Sequence, residues 1–197
     1  IDCTHLVVDR ISRSPKFICA FSHAEFILSY QWLIDSREFG KPLDEIPYIL
    51  QDKEGEKKFC FDLVRSMLKR KKRAHLLFRD YIFYVTPTLM KREPFLLEII
   101  ESAGAQSEFK KLPTGDQISQ MRGQGKRFVI VANKDDLYLL DSVEAYGVEI
   151  VSSEFVLSGI LRQDIDFENH QLNRPTTIVQ KGYSTIQPSP QKKIRQT

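Results

Sequence analysis

Among the residues whose types and spacing could do chemistry, Arg13-Ser14-Pro15-Lys16 is the most suggestive run. Ser14 before Pro15 reads as an N-cap followed by the first helical position. That puts Lys16 in the first turn of a helix, where the dipole favours an anion. An ammonium there is a compact point charge that can pair with an anion. Arg13, three residues earlier, carries a planar fork that suits a carboxylate. A solvated surface lysine and a solvated surface arginine are the competing readings.

Other chemistries fall away. His5, His23, His75 and His170 are dispersed, and none stands at ligand or triad spacing from a Cys or Asp. His5 reads as a core or turn hydrogen-bonder. No Ser-His-Asp arrangement or carboxylate pair can be argued, so no enzyme and no cofactor is expected. Cys3, Cys19 and Cys60 give no metal spacing and suit small buried positions in a reducing compartment. Gly123-Gln124-Gly125-Lys126 looks like part of a phosphate loop, but it lacks that motif's spacing and precedes a strand. Ser119-Gln120 and Ser189-Pro190 are short kinase-type dipeptides of low specificity.

The elements that would position Arg13 and Lys16 follow from apolar spacing. Residues 5–8 form a short apolar run for a buried strand, and residues 16–22 a helix with Phe17, Ala20 and Phe21 at helical spacing. Residues 26–28 are a second strand, and residues 29–36 a helix carrying Trp32 inward. A connector with Pro42 and Pro47 leads to a helix predicted over 56–73, with Phe59, Leu63, Val64, Met67 and Leu68 in one stripe. A second series then begins: strand 81–85, helix 94–102, strand 109–112, a polar loop over 113–126, strand 127–132, helix 135–146, strand 148–151 and helix 152–163. The two series align at their ends, with Phe26-Ile27-Leu28-Ser29 answering Glu149-Ile150-Val151-Ser152, and Trp32 answering Phe155.

With 197 residues and 42% hydrophobic content, the chain has ample material for one or two cores. No apolar run approaches a bilayer span, and no membrane partner is expected. Residues 69–73 and residues 174–197 carry +5 each, so the net charge of +3 leaves −7 for the rest. A mildly acidic body with a basic linker and a basic tail is not the continuous basic face of a dedicated DNA binder. The run at 69–73 is open to three readings: a nuclear-import signal, a DNA-backbone contact or a solvated helix end.

The order Thr4-His5-Leu6-Val7-Val8, then a helix holding Lys16, then Trp32 in the last helix resembles a BRCT repeat, a small α/β module of checkpoint and repair proteins. The resemblance implies tandem repeats, each a four-stranded parallel sheet flanked by helices. Residues 1–50 would be the C-terminal half of a first repeat, 51–79 a linker with a helix, 80–170 a second repeat, and 171–197 a basic tail. The first series starts at the family's third strand, so the chain is expected to be the C-terminal portion of a larger protein.

By that resemblance Lys16 is the lysine that grips a phosphate, and its hydroxyl partner falls in the part of the repeat not included. Arg13 would reach the peptide three residues past the phosphate, or its terminal carboxylate. The rest of a peptide groove would lie between the repeats, at Ile18, Met90, Lys91 and Leu157; for Ile18 and Leu157 plain interface packing is the alternative. The likeness is greatest to the C-terminal pair of fungal multi-BRCT genome-maintenance scaffolds. It implies a nuclear, non-catalytic module that binds a phosphorylated histone tail at damaged or stalled replication sites, alongside other DNA-repair proteins. A phosphate-independent interaction pair and a weak DNA contact through residues 69–73 and the tail are the alternatives.

Overall fold

A computed structural model describes residues 3–107 and 111–172. Strand β1 (His5–Val7) leads through helix α1 (Pro15–His23) to β2 (Phe26–Leu28), which pairs with β1 in parallel, His5 opposite Phe26. Helix α2 (Gln31–Phe39) follows and stops at Gly40, whose φ of 79° is left-handed. The chain then returns along β2 with an antiparallel bridge between Leu28 and Ile49.

The expected single linker helix is two helices, α3 (Lys53–Phe59) and α4 (Leu63–Lys72). Cys60 turns left-handed at φ 53° and ends the first. Asp62 then starts the second by accepting from the Arg65 N–H at 2.7 Å. Two short helices replace one long stripe, so Leu63 is buried while Val64 and Leu68 face water.

The second series builds a three-stranded parallel sheet in the order β3 (Tyr81–Val85), β4 (Arg127–Val131), β5 (Glu149–Val151). The fourth strand expected at 109–112 begins on residues that lie outside those described. Pairing on the outer edge of β3 falls earlier, as a single parallel bridge between Ile82 and Gln106. Residues 109 and 110 lie outside the described residues, as does the tail from 173. Helices α5 (Pro87–Arg92) and α6 (Leu96–Ser102) follow β3.

The polar segment expected as a loop folds as α7 (Gly115–Gly123). Thr114 and Gln117 form a reciprocal capping box, and Ile118 and Met121 supply a narrow buried face. The helix expected over 135–146 is a 3-10 stretch, Lys134–Leu140, followed by the short α8 (Asp141–Glu144). Leu137 and Leu140, three apart and both buried, lie on the same line of a three-residue turn. Helix α9 (Ser153–Arg162) closes the series, and Leu172 donates its N–H to the Ile150 carbonyl at 2.8 Å along the free edge of β5.

Strand alternation divides the core. Phe83, Val85, Val129 and Val131 face one cluster, while Ile82, Tyr84, Phe128 and Ile130 face the other beneath α7 and the 3-10 stretch. The first cluster is continuous with Phe17, Ile18, Cys19 and Phe21 of α1, so one apolar core runs through both series. Helix α1 packs against both α6 and α9. Phe155 is fully buried in this core, stacked on Phe78 and tilted against Phe83 and Phe167. Trp32, expected inward, is only half-buried: it donates its indole N–H to the Leu43 carbonyl at 2.9 Å and stacks on His5.

Phe155→Ala should therefore cost about 3–5 kcal/mol. Trp32→Ala should cost about 1–2 kcal/mol, because its ring gives up less apolar area. Urea unfolding followed by circular dichroism gives both values, and equal losses would contradict this packing.

Candidate functional site

The site begins where α1 begins. Ser14 is extended and its hydroxyl accepts from the Phe17 N–H at 3.3 Å, while Pro15 takes the first helical position. The buried face of α1 carries Phe17, Ile18 and Cys19 into the seam with α6 and α9. Lys16 is thereby turned to the exposed side, in the first turn, and its ammonium has no ion pair among the described residues.

Arg13 sits across the seam. Its Nη1 donates to Glu154 Oε2 at 2.7 Å and its Nη2 to Glu154 Oε1 at 2.6 Å, a two-point clamp onto the first turn of α9. The guanidinium also lies over the Phe59 ring at 4.8 Å, and its Nε is buried without a hydrogen-bond partner among the described residues. Held between α3 and α9, Arg13 is a fixed point at the rim and not a free surface side chain. An acid in the first turn of α9 is itself favoured by that helix's dipole.

Asp52 fixes the loop that delivers Arg13. One carboxylate oxygen accepts from the Gly55 N–H at 2.9 Å and the other from the Ile11 N–H at 2.7 Å. Those two N–H groups, Gly55 first, hold the Asp52 carboxyl below the usual carboxylate range.

The remaining expected positions separate. Ile18 is wholly buried, so its side chain belongs to the seam and is not a surface for a peptide. Leu157 is half-buried on α9, one turn beyond Glu154. Met90 is half-buried and Lys91 exposed, both on α5; the expected loop at Lys91 is helical because Thr86-Pro87 starts a new helix there. The Ser153 hydroxyl donates to Glu93 Oε1 at 2.8 Å, which ties the end of α5 to the start of α9. The fold thus brings Arg13, Leu157 and the α5 pair around the N-terminal half of α9.

Glu154, Phe59 and Asp52 were not legible as site residues. An acid after the N-cap Ser152 is visible in sequence, but its pairing with a residue 141 positions away is not.

The basic run at 69–73 is largely engaged within the molecule. Lys69 pairs with Asp164 at 2.7 Å, Arg70 donates to the Ser22 carbonyl at 2.9 Å, and Lys71 pairs with Glu25 at 3.1 Å. Arg73 donates to the side chain and carbonyl of Gln163 at 2.7 and 2.9 Å. These bonds dock the linker helix on both series. Gly123-Gln124-Gly125-Lys126 is the end of α7 and its exit turn, with the N–H groups of Gln124, Gly125 and Lys126 donating to carbonyls of that helix. Ser119 lies in α7 and donates to the Gly115 carbonyl at 2.9 Å.

Comparison with known proteins gives a consistent pattern. A family profile described as BRCT domain matches residues 76–171, and one described as Regulator of Ty1 transposition protein 107 BRCT domain matches residues 1–50. PAX-interacting protein 1 of Bos taurus is 32% identical over 176 residues, covering 87% of this chain and 17% of that protein. Mediator of DNA damage checkpoint protein 1 of Rattus norvegicus is 34% identical over 163 residues, covering 83% of this chain and 12% of that protein. The chain thus spans about a sixth or less of the length of these relatives. Among solved structures, the BRCT5-BRCT6 domains of S. pombe Brc1 superpose with a TM-score of 0.65 at 22% identity, over 84% of this chain and 80% of that one. The complex of Rtt107p with a phosphorylated histone superposes at 0.55 and 15% identity, over 86% of this chain and 77% of that one. Both superpositions are likenesses of fold.

Asp52→Ala should destabilise the chain by about 1–2 kcal/mol at pH 7, through a lost cap and a lost loop bond. With its folded pKa depressed, the carboxylate's contribution is complete above the unfolded pKa of about 4 and fades as pH falls through the folded value. The stability gap between parent and variant, from urea midpoints, should narrow below about pH 4. A gap that stays constant down to about pH 2 would rule out this account of Asp52.

Proposed function

This chain belongs to the BRCT family as a tandem pair, and from that premise we propose that it is a phosphopeptide-binding scaffold module of the DNA damage response. The observation that carries the reading is the rim of the seam. Lys16 stands exposed and without an ion pair among the described residues in the first turn of α1, while Arg13, three residues before it, is clamped across to Glu154. A phosphoserine brings about −1.5 to −2 charge and three acceptor oxygens, and an ammonium in a first helical turn complements both.

In this mechanism Lys16 takes the phosphate and the α1 N-terminus adds its dipole. The peptide continues across the seam over Leu157 and beside Met90 and Lys91. With its Nη1 and Nη2 each bonded once to Glu154, Arg13 offers their second N–H groups to the peptide's acidic or carboxy-terminal end. Lys91, exposed at the far wall, favours an acidic residue there. The ligand is a phosphorylated histone C-terminal tail, a reading supported by the complex of the similar Rtt107p with a phosphorylated histone. The setting is nuclear, with other repair proteins as partners, supported by the DNA damage checkpoint in the name of one relative. The domain division into 1–50, 51–79, 80–170 and 171–197 belongs to the same proposal. DNA binding through residues 69–73 is the less favoured reading, because four of those five side chains are spent on internal bonds.

Calorimetric titration of a phosphorylated and an unphosphorylated acidic C-terminal peptide tests the proposal. The phosphorylated form should bind more tightly, and Lys16→Met should weaken it by about tenfold to a hundredfold, or about 1.4–3 kcal/mol. Equal affinities for the two peptides would reject it. Amidating the peptide's C-terminus should weaken binding to the parent chain and change little in Arg13→Gln; a loss of the same size in both would remove Arg13 from the carboxylate contact.

A further inference from the structure

A cavity of about 190 Å³ lies between the linker helix and the end of α9, away from the rim at Lys16. Arg65, Ser66 and Lys69 of α4 line it together with Arg162 of α9. The carboxylates of Asp62 and Asp164 also stand in its wall, and both are already committed. Asp62 accepts from the Arg65 backbone N–H at 2.7 Å, and Asp164 accepts from the Lys69 ammonium at 2.7 Å.

The cations are less well matched. The Arg65 guanidinium has no hydrogen bond or ion pair among the described residues. Arg162 donates its Nε–H to the Cys60 carbonyl at 3.1 Å, and its Nη1 finds only Asp166, at 3.9 Å.

Ser66 supplies an independent sign. It is only 2% exposed, lines this cavity, and its hydroxyl has no hydrogen bond among the described residues. Its Oγ is not sealed from solvent but opens on the cavity, since Arg13 Nε is the one unpartnered buried side-chain atom among the described residues; a helical serine otherwise often donates to the carbonyl four residues back. Ser22 and Ser158 of this chain do just that, donating to the carbonyls of Ile18 and Glu154. Ser66 keeps its donor for whatever fills the cavity.

We propose that this cavity is a second oxyanion site, for a phosphoryl group, distinct from the one at Lys16. Among the residues of its lining three cations stand against two carboxylates, with Asp166 just beyond at 3.9 Å from Arg162. A group with nearly two negative charges and three acceptor oxygens satisfies Arg65, Arg162 and the Ser66 hydroxyl together, where a single carboxylate would leave one unmet. Glu154 and Arg162 share one face of α9 eight residues apart, so the cavity lies about 12 Å along that helix from the Arg13 clamp. A phosphoryl group seated there bonds the linker helix to the second repeat.

Inorganic phosphate is titrated into the full chain carrying Lys16→Met, and amide and arginine side-chain resonances are followed by NMR. Saturable shifts at Arg65, Ser66 and Arg162 are expected, with affinity lowered about tenfold by Arg65→Gln and by Ser66→Ala. Neither variant removes a side-chain bond made within the described residues, so both should remain folded, as unchanged amide dispersion away from the cavity would verify. A phosphoserine-containing peptide run alongside identifies the source of the phosphoryl group: saturation by the peptide assigns a phosphorylated chain, saturation by the ion alone a free phosphate. Shifts that never saturate, or that saturate equally well in Arg65→Gln, overturn the site. With Lys16 already replaced, failure here leaves the rim site standing, and failure there leaves this one.

Discussion

The structure depends on one face of α1 being buried between α6 and α9. Phe17, Ile18, Cys19 and Phe21 have no other place to leave water, and their burial fixes the rotation of the helix. Once that rotation is set, the N-terminal turn must project from the rim, and Lys16 with it. Burial also pushes the Cys19 thiol up, away from reactive thiolate, which suits a packing role. A site of this kind needs no buried charge; it needs a charged turn at the edge of a buried seam.

The second requirement is that the two series keep one orientation, and polar contacts supply it. Arg13 reaches Glu154, Arg70 reaches the Ser22 carbonyl, and Arg73 reaches Gln163, so the first series, the linker and the second series are tied in a ring. The Arg13 clamp has a double role in this arrangement. It locks the seam at the rim, and under the proposed function it pre-organises a guanidinium three residues from Lys16, so that little rotamer freedom would remain to be lost on binding. The two bonds to Glu154 and the Phe59 platform hold that side chain in place.

Much of the fold was legible because parallel strands covered on both faces read as plain apolar runs; β1 to β5 all fall within a residue or so of their expected spans. The helix at Lys16 was legible from Ser14-Pro15 and from Phe17, Ala20 and Phe21 at helical spacing. What was missed has physical reasons. Three glycines between 113 and 126 masked α7, whose apolar face is only Ile118 and Met121; its one sequence signal was the Thr114–Gln117 capping pair. The break at Cys60 is a left-handed residue that is not glycine, so no breaker marked it. Trp32 was expected deeper because aromatic rings usually fill cores, yet α2 buries none of its residues. The clamp partner Glu154 was beyond reach, since pairing across the seam is set by tertiary packing and not by local spacing.

The most direct test of the central claim is a crystal structure of the chain bound to a phosphorylated, C-terminally free peptide. The account predicts a phosphate oxygen within about 3 Å of Lys16 Nζ, at the first turn of α1, with the peptide chain running over α9 toward Arg13. A peptide seated elsewhere, with its phosphate remote from α1 and Lys16 still facing solvent, would contradict it.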